Sequence, residues 1–206
     1  KGDRVVIVSE NRPDWVVADV AIGAIGAISV PAYTTNTTDD HLYILEHSEA
    51  KIAIVSTERL ARNVLPAARS AGTCDIVISM EPPPSDTQAG VRSLHWDDVL
   101  AMGDELQDDI RATAGMLTRE DVACFIYTSG TGGRPKGVML THGSILANCY
   151  SAYDLLLELG LGDEVFLSLL PLSHSYEHTC GLFFPISIGA QIYYAEGPDK
   201  IAQNLQ

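Results

Sequence analysis

Two stretches of this chain gather side chains that could do chemistry. The first runs from Phe125 to Val138 and reads Phe-Ile-Tyr-Thr-Ser-Gly-Thr-Gly-Gly-Arg-Pro-Lys-Gly-Val. An apolar run, Val122 to Tyr127, reads as a buried strand that empties into a loop of small hydroxyl residues and glycines closing on Lys136. Such a composition suits a polyphosphate. Glycines let backbone N–H groups approach an anion, Thr128, Ser129 and Thr131 offer hydroxyl donors, and Lys136 offers a cation that needs no special environment.

The second stretch is Leu170-Pro-Leu-Ser-His174-Ser-Tyr-Glu177-His178-Thr179, followed by the apolar, glycine-containing segment Cys180 to Ile188. Polar side chains beside an apolar wall are the usual makings of a small-molecule pocket. His174, Glu177 and His178 could suggest a metal site, but their spacings of three and one do not match a His-Glu-x-x-His helix. Adjacent residues such as Glu177 and His178 rarely face one another, which argues against an acid–base dyad.

Two common phosphate loops are excluded for Tyr127 to Val138. A Walker loop needs glycine before its lysine and Ser or Thr after it, whereas Lys136 stands between Pro135 and Gly137. Val138-Met139-Leu140 looks like a strand, not the helix whose N-terminus a Walker loop uses. The dinucleotide fingerprint fails because Pro135 falls where its third glycine belongs.

The stretch from Tyr127 to Val138 instead resembles the phosphate loop of the adenylate-forming enzymes, which include acyl-CoA and aryl-CoA synthetases, luciferases and the adenylation domains of peptide synthetases. Their pattern is Tyr-Thr-Ser-Gly-Thr-Thr-Gly-x-Pro-Lys-Gly-Val, and this chain departs from it only at Gly132, where a second threonine is usual. The resemblance implies that Thr128, Ser129, Gly130, Thr131, Gly132, Gly133 and Lys136 hold the β- and γ-phosphates of ATP, and that Thr128 helps hold Mg²⁺. Leu170 to Thr179 is similar to the family's Pro-Leu-x-His segment, which assigns His174 a catalytic position near the acyl carboxylate and the gate of the acyl pocket. The continuation looks most like the long-chain fatty acyl-CoA synthetase branch, where Glu-Arg is common and His178 stands in for the Arg. Gly181 to Ile188 would line or support the acyl pocket.

The elements that must position these stretches read as an α/β protein with a doubly wound, mostly parallel sheet and flanking helices. Strands are expected at Val5 to Val8, Ile28 to Tyr33, Lys51 to Val55 and Asp75 to Met80. Between them come helices at Pro13 to about Ala27, from Thr38, and from Glu58 to Ala71 with Gly72 as its stop. Asn11 is expected to cap the first of these, and the all-round apolar character of that helix predicts burial. His41 and His47 lie six apart, off one helical face, and read as solvated or core-edge histidines. Residues 81 to 121 read as a connection, with a helix from Ser93 to Leu100 anchored by Trp96 and then a solvated acidic face. Beyond the loop, Thr141 caps a helix from Ser144 to about Leu159, and Glu164 to Leu169 is a strand. The expected division is a first α/β lobe over 1–80, the connection over 81–121, and a segment over 122–206 carrying both motifs, together a partial N-terminal domain of the acyl-CoA synthetase fold.

Composition narrows the partners. The 206 residues are 46% hydrophobic and 19% charged, as in a soluble globular protein. Net charge is −14, from 13 basic and 27 acidic residues, so nucleic acid and anionic membrane surfaces are poor partners. Cys74, Cys124, Cys149 and Cys180 are too scattered for a metal knuckle and suggest a reducing cytoplasm. No apolar run reaches membrane-spanning length, and the resemblance leaves room for peripheral membrane association of the full enzyme. The missing initial Met and a final amphipathic helix running into Gln206 lead us to expect part of a larger protein. The family's Thr-Glu motif, ribose-binding Asp, hinge and C-terminal domain with its catalytic lysine do not occur in these residues. The full enzyme is thus expected to use fatty acid, ATP, Mg²⁺ and coenzyme A, with the isolated chain inactive and prone to self-association. The alternatives are a fatty acyl-AMP ligase, an aryl-CoA ligase, or a non-catalytic nucleotide-binding module.

Overall fold

A computed structural model describes residues 1–82, 90–129, 133–158, 160–197 and 200–204. Its centre is a seven-stranded sheet ordered β5-β4-β3-β1-β2-β6-β7. These strands are β1 (Arg4–Val8), β2 (Ile28–Ala32), β3 (Ile52–Val55), β4 (Ile76–Ser79), β5 (Arg92–His95), β6 (Val122–Thr128) and β7 (Lys136–Thr141). All neighbours pair in parallel except β7, which runs antiparallel to β6. The expected mostly parallel, doubly wound layer is therefore what the chain forms.

Both faces of the sheet are covered, which is why its inner strands are apolar without alternation. Val6 and Val8 of β1 point into a core with α2 (Thr38–Ser48) and α3 (Glu58–Ala71), built on Leu45, Leu60 and Val64. Val5 and Ile7 of the same strand point the other way, toward Trp15, Ala18 and Ile22 of α1 (Pro13–Ala24). Local signals set the helix ends. Thr37 and Asp40 form a reciprocal capping box on α2, Thr57 caps α3, and Gly72 ends α3 at φ 64°, where a side chain would be strained.

Some expectations are corrected. Residues 92–95 form the edge strand β5 rather than the start of a helix, because the exposed side of β4 offers unpaired backbone groups to an extended segment. The helix itself, α4, covers Trp96–Asp104, and a short α5 covers Ile110–Gly115. α1 is buried on one face only. Val17 and Val20 stay exposed because a single helix layer covers that side of the sheet. His41 is fully buried, not solvated, whereas His47 sits at the edge of the core.

After β7 the chain forms α6 (His142–Leu157), capped by Thr141, whose side chain accepts the Ser144 N–H. Strands β8 (Val165–Ser168) and β9 (Gln191–Tyr194) make a separate parallel pair. Between them lie a π-helical stretch, Glu177–Phe183, and α7 (Phe184–Ser187); α8 spans Ile201–Asn204. Ile145 and Cys149 of α6 pack on Cys124 and Ile126 of β6 with Phe184, joining this part to the main sheet. No helix among the described residues is long and apolar enough to cross a membrane.

Candidate functional site

β6 and β7 form the arms of a hairpin whose mouth is the pair Thr128↔Lys136, with Tyr127↔Gly137 one step below. The ladder therefore sets the first hydroxyl and the lysine of the loop directly opposite one another. Thr128, Ser129, Gly133 and Lys136 are all exposed, and among the described residues Lys136 makes no ion pair. Gly133 has φ 93°, a conformation reserved for glycine. Gly130, Thr131 and Gly132 lie outside the described residues.

The C-terminal side of the loop is held by α2. Tyr43 donates its hydroxyl to the carbonyl of Pro135 at 2.8 Å, the peptide that leads into Lys136. Arg134 lies over the Tyr43 ring, 5.6 Å from its centroid, and His47 Nδ1 lies 2.8 Å from the Tyr127 hydroxyl. The Tyr127 ring covers Gly137 so closely that a Cβ there would press against it. Burial pushes the Tyr127 phenol up to about 12, so it remains a neutral hydroxyl. Tyr43 was not singled out in the sequence, where it looks like any amphipathic helix position, and His47 read there only as a solvated or core-edge histidine.

The Pro-Leu-Ser-His segment is tied to the same edge of the sheet. Asn11, just beyond β1, donates to the Leu170 carbonyl at 2.7 Å and to Ser168 Oγ at 3.0 Å, and accepts the Leu172 N–H at 2.9 Å. Asn11 therefore clamps this segment and does not cap α1, whose first turn begins at Pro13 without a side-chain cap. Register places Val8 level with Ala32, and Ala32 lies level with Tyr127 by extension of the Ser29↔Cys124 pair. β1 and β6 thus end at the same C-terminal edge of the sheet, about 10 Å apart across β2, with Thr128 closing β6 and Asn11 three residues past the end of β1. Open α/β sheets commonly bind ligands at that edge.

His174 is exposed. Its Nδ1 accepts the Tyr176 N–H at 3.2 Å and its carbonyl accepts the His178 N–H at 2.9 Å, while Nε2 has no protein partner among the described residues. Glu177 and His178 diverge. Glu177 is buried against Gly181, so tightly that any Cβ at Gly181 would collide with its carboxylate. It faces an apolar cavity of about 400 Å³ lined by Leu156, Phe166, Leu170, Tyr176, Gly181 and Phe184. His178 turns into the opposite side of the π-helical stretch and meets Asp19, one of two acids in the otherwise apolar helix α1. No group of three metal-ligating side chains occurs among the described residues.

A hydroxyl–lysine hairpin mouth and a histidine-bearing segment thus lie at one end of the mostly parallel sheet of an α/β domain. Residues 1–205 match the family model described as AMP-binding enzyme, and the chain belongs to that family. It is 29% identical over 205 residues to long-chain-fatty-acid–CoA ligase ACSBG2 of Gallus gallus, covering 98% of this chain and 26% of that one. It is 31% identical over 205 residues to long chain acyl-CoA synthetase 1 of Arabidopsis thaliana, covering 95% of this chain and 30% of that one. The chain thus spans less than a third of these relatives. In fold it matches the A domain of a carboxylic acid reductase from Segniliparus rugosus, solved with AMP and a co-purified carboxylic acid. The TM-score is 0.80 at 21% identity, over 98% of this chain and 34% of that one.

Proposed function

We propose that this chain contributes the phosphate grip and the acyl gate of an ATP-dependent fatty acid–CoA ligase, which forms acyl-AMP and pyrophosphate and then acyl-CoA. The observation that carries this reading is the hairpin mouth, where strand pairing sets Thr128 opposite Lys136 at the C-terminal edge of the sheet. Joining a carboxylate to the α-phosphorus brings two anions together, so the protein must offset charge and hold the reactants in line. Lys136 lies against the β- and γ-phosphates, with Ser129, Thr131 and backbone N–H groups of Gly130 to Gly133 as donors. The exposed Thr128 hydroxyl, which has no protein partner among the described residues, fits a hard oxygen-seeking cation. Bound there, Mg²⁺ would offset phosphate charge.

His174 has one ring nitrogen engaged by the Tyr176 N–H and the other available, which suits a group that orients an acyl carboxylate. The apolar cavity beside Glu177 supports the acyl-chain assignment, since it is lined almost wholly by aliphatic and aromatic side chains. Coenzyme A enters as acceptor of the acyl group in the second step. A cytoplasmic setting is consistent with free thiols at Cys74, Cys124, Cys149 and Cys180.

The chain alone lacks residues matching the family's adenine, ribose and C-terminal lysine motifs, so it performs no adenylation by itself. ATP–pyrophosphate exchange with fatty acids of several lengths tests both halves. The polypeptide containing those motifs should exchange and lose activity on Lys136→Ala, while residues 1–206 alone should not exchange. Consumption of coenzyme A separates a CoA ligase from an acyl-AMP ligase, and preference for aromatic acids would favour an aryl-CoA ligase. No nucleotide-dependent exchange in the longer polypeptide would leave a non-catalytic nucleotide-binding module.

A further inference from the structure

At the other end of the sheet, about 13 Å along the strands from the hairpin mouth, a second cavity opens between α1, the starts of β2 and β6, and the π-helical stretch. Its volume is about 270 Å³. Val20, Ala24, Leu117 and Phe183 give it apolar walls. Set into those walls are two buried polar atoms with no protein partner among the described residues, Asp19 Oδ1 and Ser29 Oγ.

Among the described residues, only one of the two Asp19 carboxylate oxygens is engaged by protein. Asp19 Oδ2 lies 3.0 Å from His178 Nε2, and both side chains are almost wholly buried, at 2% and 1% exposure. On the other side of the ring, Cys124 Sγ lies 3.8 Å from Nδ1. Burial pushes the Cys124 thiol up to about 12, with Asp19 adding to the effect, so the sulfur keeps its hydrogen. A carboxylate only accepts, so Nε2 carries a hydrogen toward Asp19 Oδ2. One shared hydrogen satisfies one carboxylate oxygen and leaves the other facing the cavity. His142, also in the wall, is held below its usual value by burial, and among the described residues neither Lys nor Arg lines the space. A buried carboxylate oxygen that no donor reaches, set among apolar walls, is costly unless a cation or further donors approach it.

We propose that this cavity is a binding site for a small organic cation: an ammonium group on a compact apolar body, its N–H groups on Asp19 Oδ1 and Ser29 Oγ. The apolar body packs against Val20, Ala24, Leu117 and Phe183. The net charge of −14 favours accumulation of cations near the protein. A cavity of about 150 Å³ holds benzene, so this one admits a single-ring amine, while a nucleotide or a long acyl chain is too large for it. The site stands on its own geometry and does not depend on the ligase reading.

The test titrates the natural polypeptide that carries this chain with benzylammonium, benzyl alcohol and benzoate at pH 7 and constant ionic strength, by calorimetry and thermal shift. Benzylammonium should bind at least about tenfold more tightly than benzyl alcohol, and benzoate should not bind. Asp19→Asn should reduce the amine to the affinity of the alcohol. Because Asp19 belongs to a buried pair and its loss could unfold the chain, Gly23→Met provides an independent variant. Gly23 lines the cavity on α1 and an added Cβ there meets nothing within 4 Å, so a longer side chain can enter the space over the turn that carries Asp19 while leaving the carboxylate itself in place. It should abolish binding while thermal stability is kept. Equal affinity for amine and alcohol, no binding of any probe, or binding that survives Gly23→Met would each overturn the proposal.

Discussion

Lys136 is the residue whose role can be separated most cleanly from folding. It is exposed and makes no ion pair among the described residues, so Lys136→Ala should change unfolding free energy by less than about 0.5 kcal/mol. A charge-assisted contact to phosphate is worth about 1.5–3 kcal/mol. Calorimetry should therefore show ATP or pyrophosphate binding to the full polypeptide weakened by roughly 10- to 100-fold. His41 makes the opposite case. Burial pushes it down to about 4, against a small opposing pull from Asp40, and neither ring nitrogen has a protein partner among the described residues. The unfolded chain takes up this proton below about pH 6.5 and the folded chain resists until about 4. Stability is thus complete above that window and lost as pH falls through it, by an amount on the order of 3 kcal/mol. His41→Leu should flatten the acid side of a stability–pH profile from denaturant unfolding. His142, also held down by burial, acts with the same sign in both proteins and cancels in the difference. The loop was legible at this scale because chemistry forces residue types and spacing at Thr128, Ser129 and Lys136. Tyr43 and Asp19 were not, since their partners are 92 and 159 residues away in sequence.

At the scale of elements, the strands and most helices were legible because burial and caps act locally. The apolar runs of β1 to β4, the Thr141 cap and the Gly72 stop each show in a few consecutive residues. β5 was not, because an edge strand with exposed Arg92 and Ser93 is defined by the neighbour it pairs with and not by its own pattern. Asn11 shows the same limit. Followed by Pro13 and Asp14 it reads as a helix cap, yet its side chain spends its donors and acceptor on residues 168 to 172. That makes Asn11 the link between the end of β1 and the His174 segment. Asn11→Ala removes three hydrogen bonds at a partly buried site and should destabilise the protein by about 1–3 kcal/mol. Its larger effect should be local. Amide hydrogen exchange at Leu172 to Tyr176 should accelerate more than exchange in β3 or β4, and uniform acceleration across the sheet would show that Asn11 serves global stability instead.

Over the whole molecule, two surface properties oppose one another. Leu155, Tyr150, Tyr176, Val165 and Tyr193 are each at least 59% exposed, and with Leu169 they give α6, β8 and β9 an outer side that is unusually apolar. Patches of that kind mark surfaces that other structure covers, and the relatives are more than three times as long as the matched region. Against this stands a net charge of −14 on 206 residues, which makes copies of the chain repel. Repulsion between charges on separate molecules is screened over about 10 Å at 0.1 M salt and about 3 Å at 1 M, whereas apolar attraction is not weakened by salt. Residues 1–206 in isolation should therefore be mostly monomeric at low salt and associate increasingly as sodium chloride is raised. Sedimentation velocity across a concentration series at low and high salt measures this directly. Replacing Leu155 and Tyr150 by Glu should abolish the association at high salt without lowering thermal stability, since neither side chain is in a core. A monomer at every salt and concentration would mean that this apolar side is tolerated as bare surface, and dissociation on adding salt would mean that ion pairs hold the copies together.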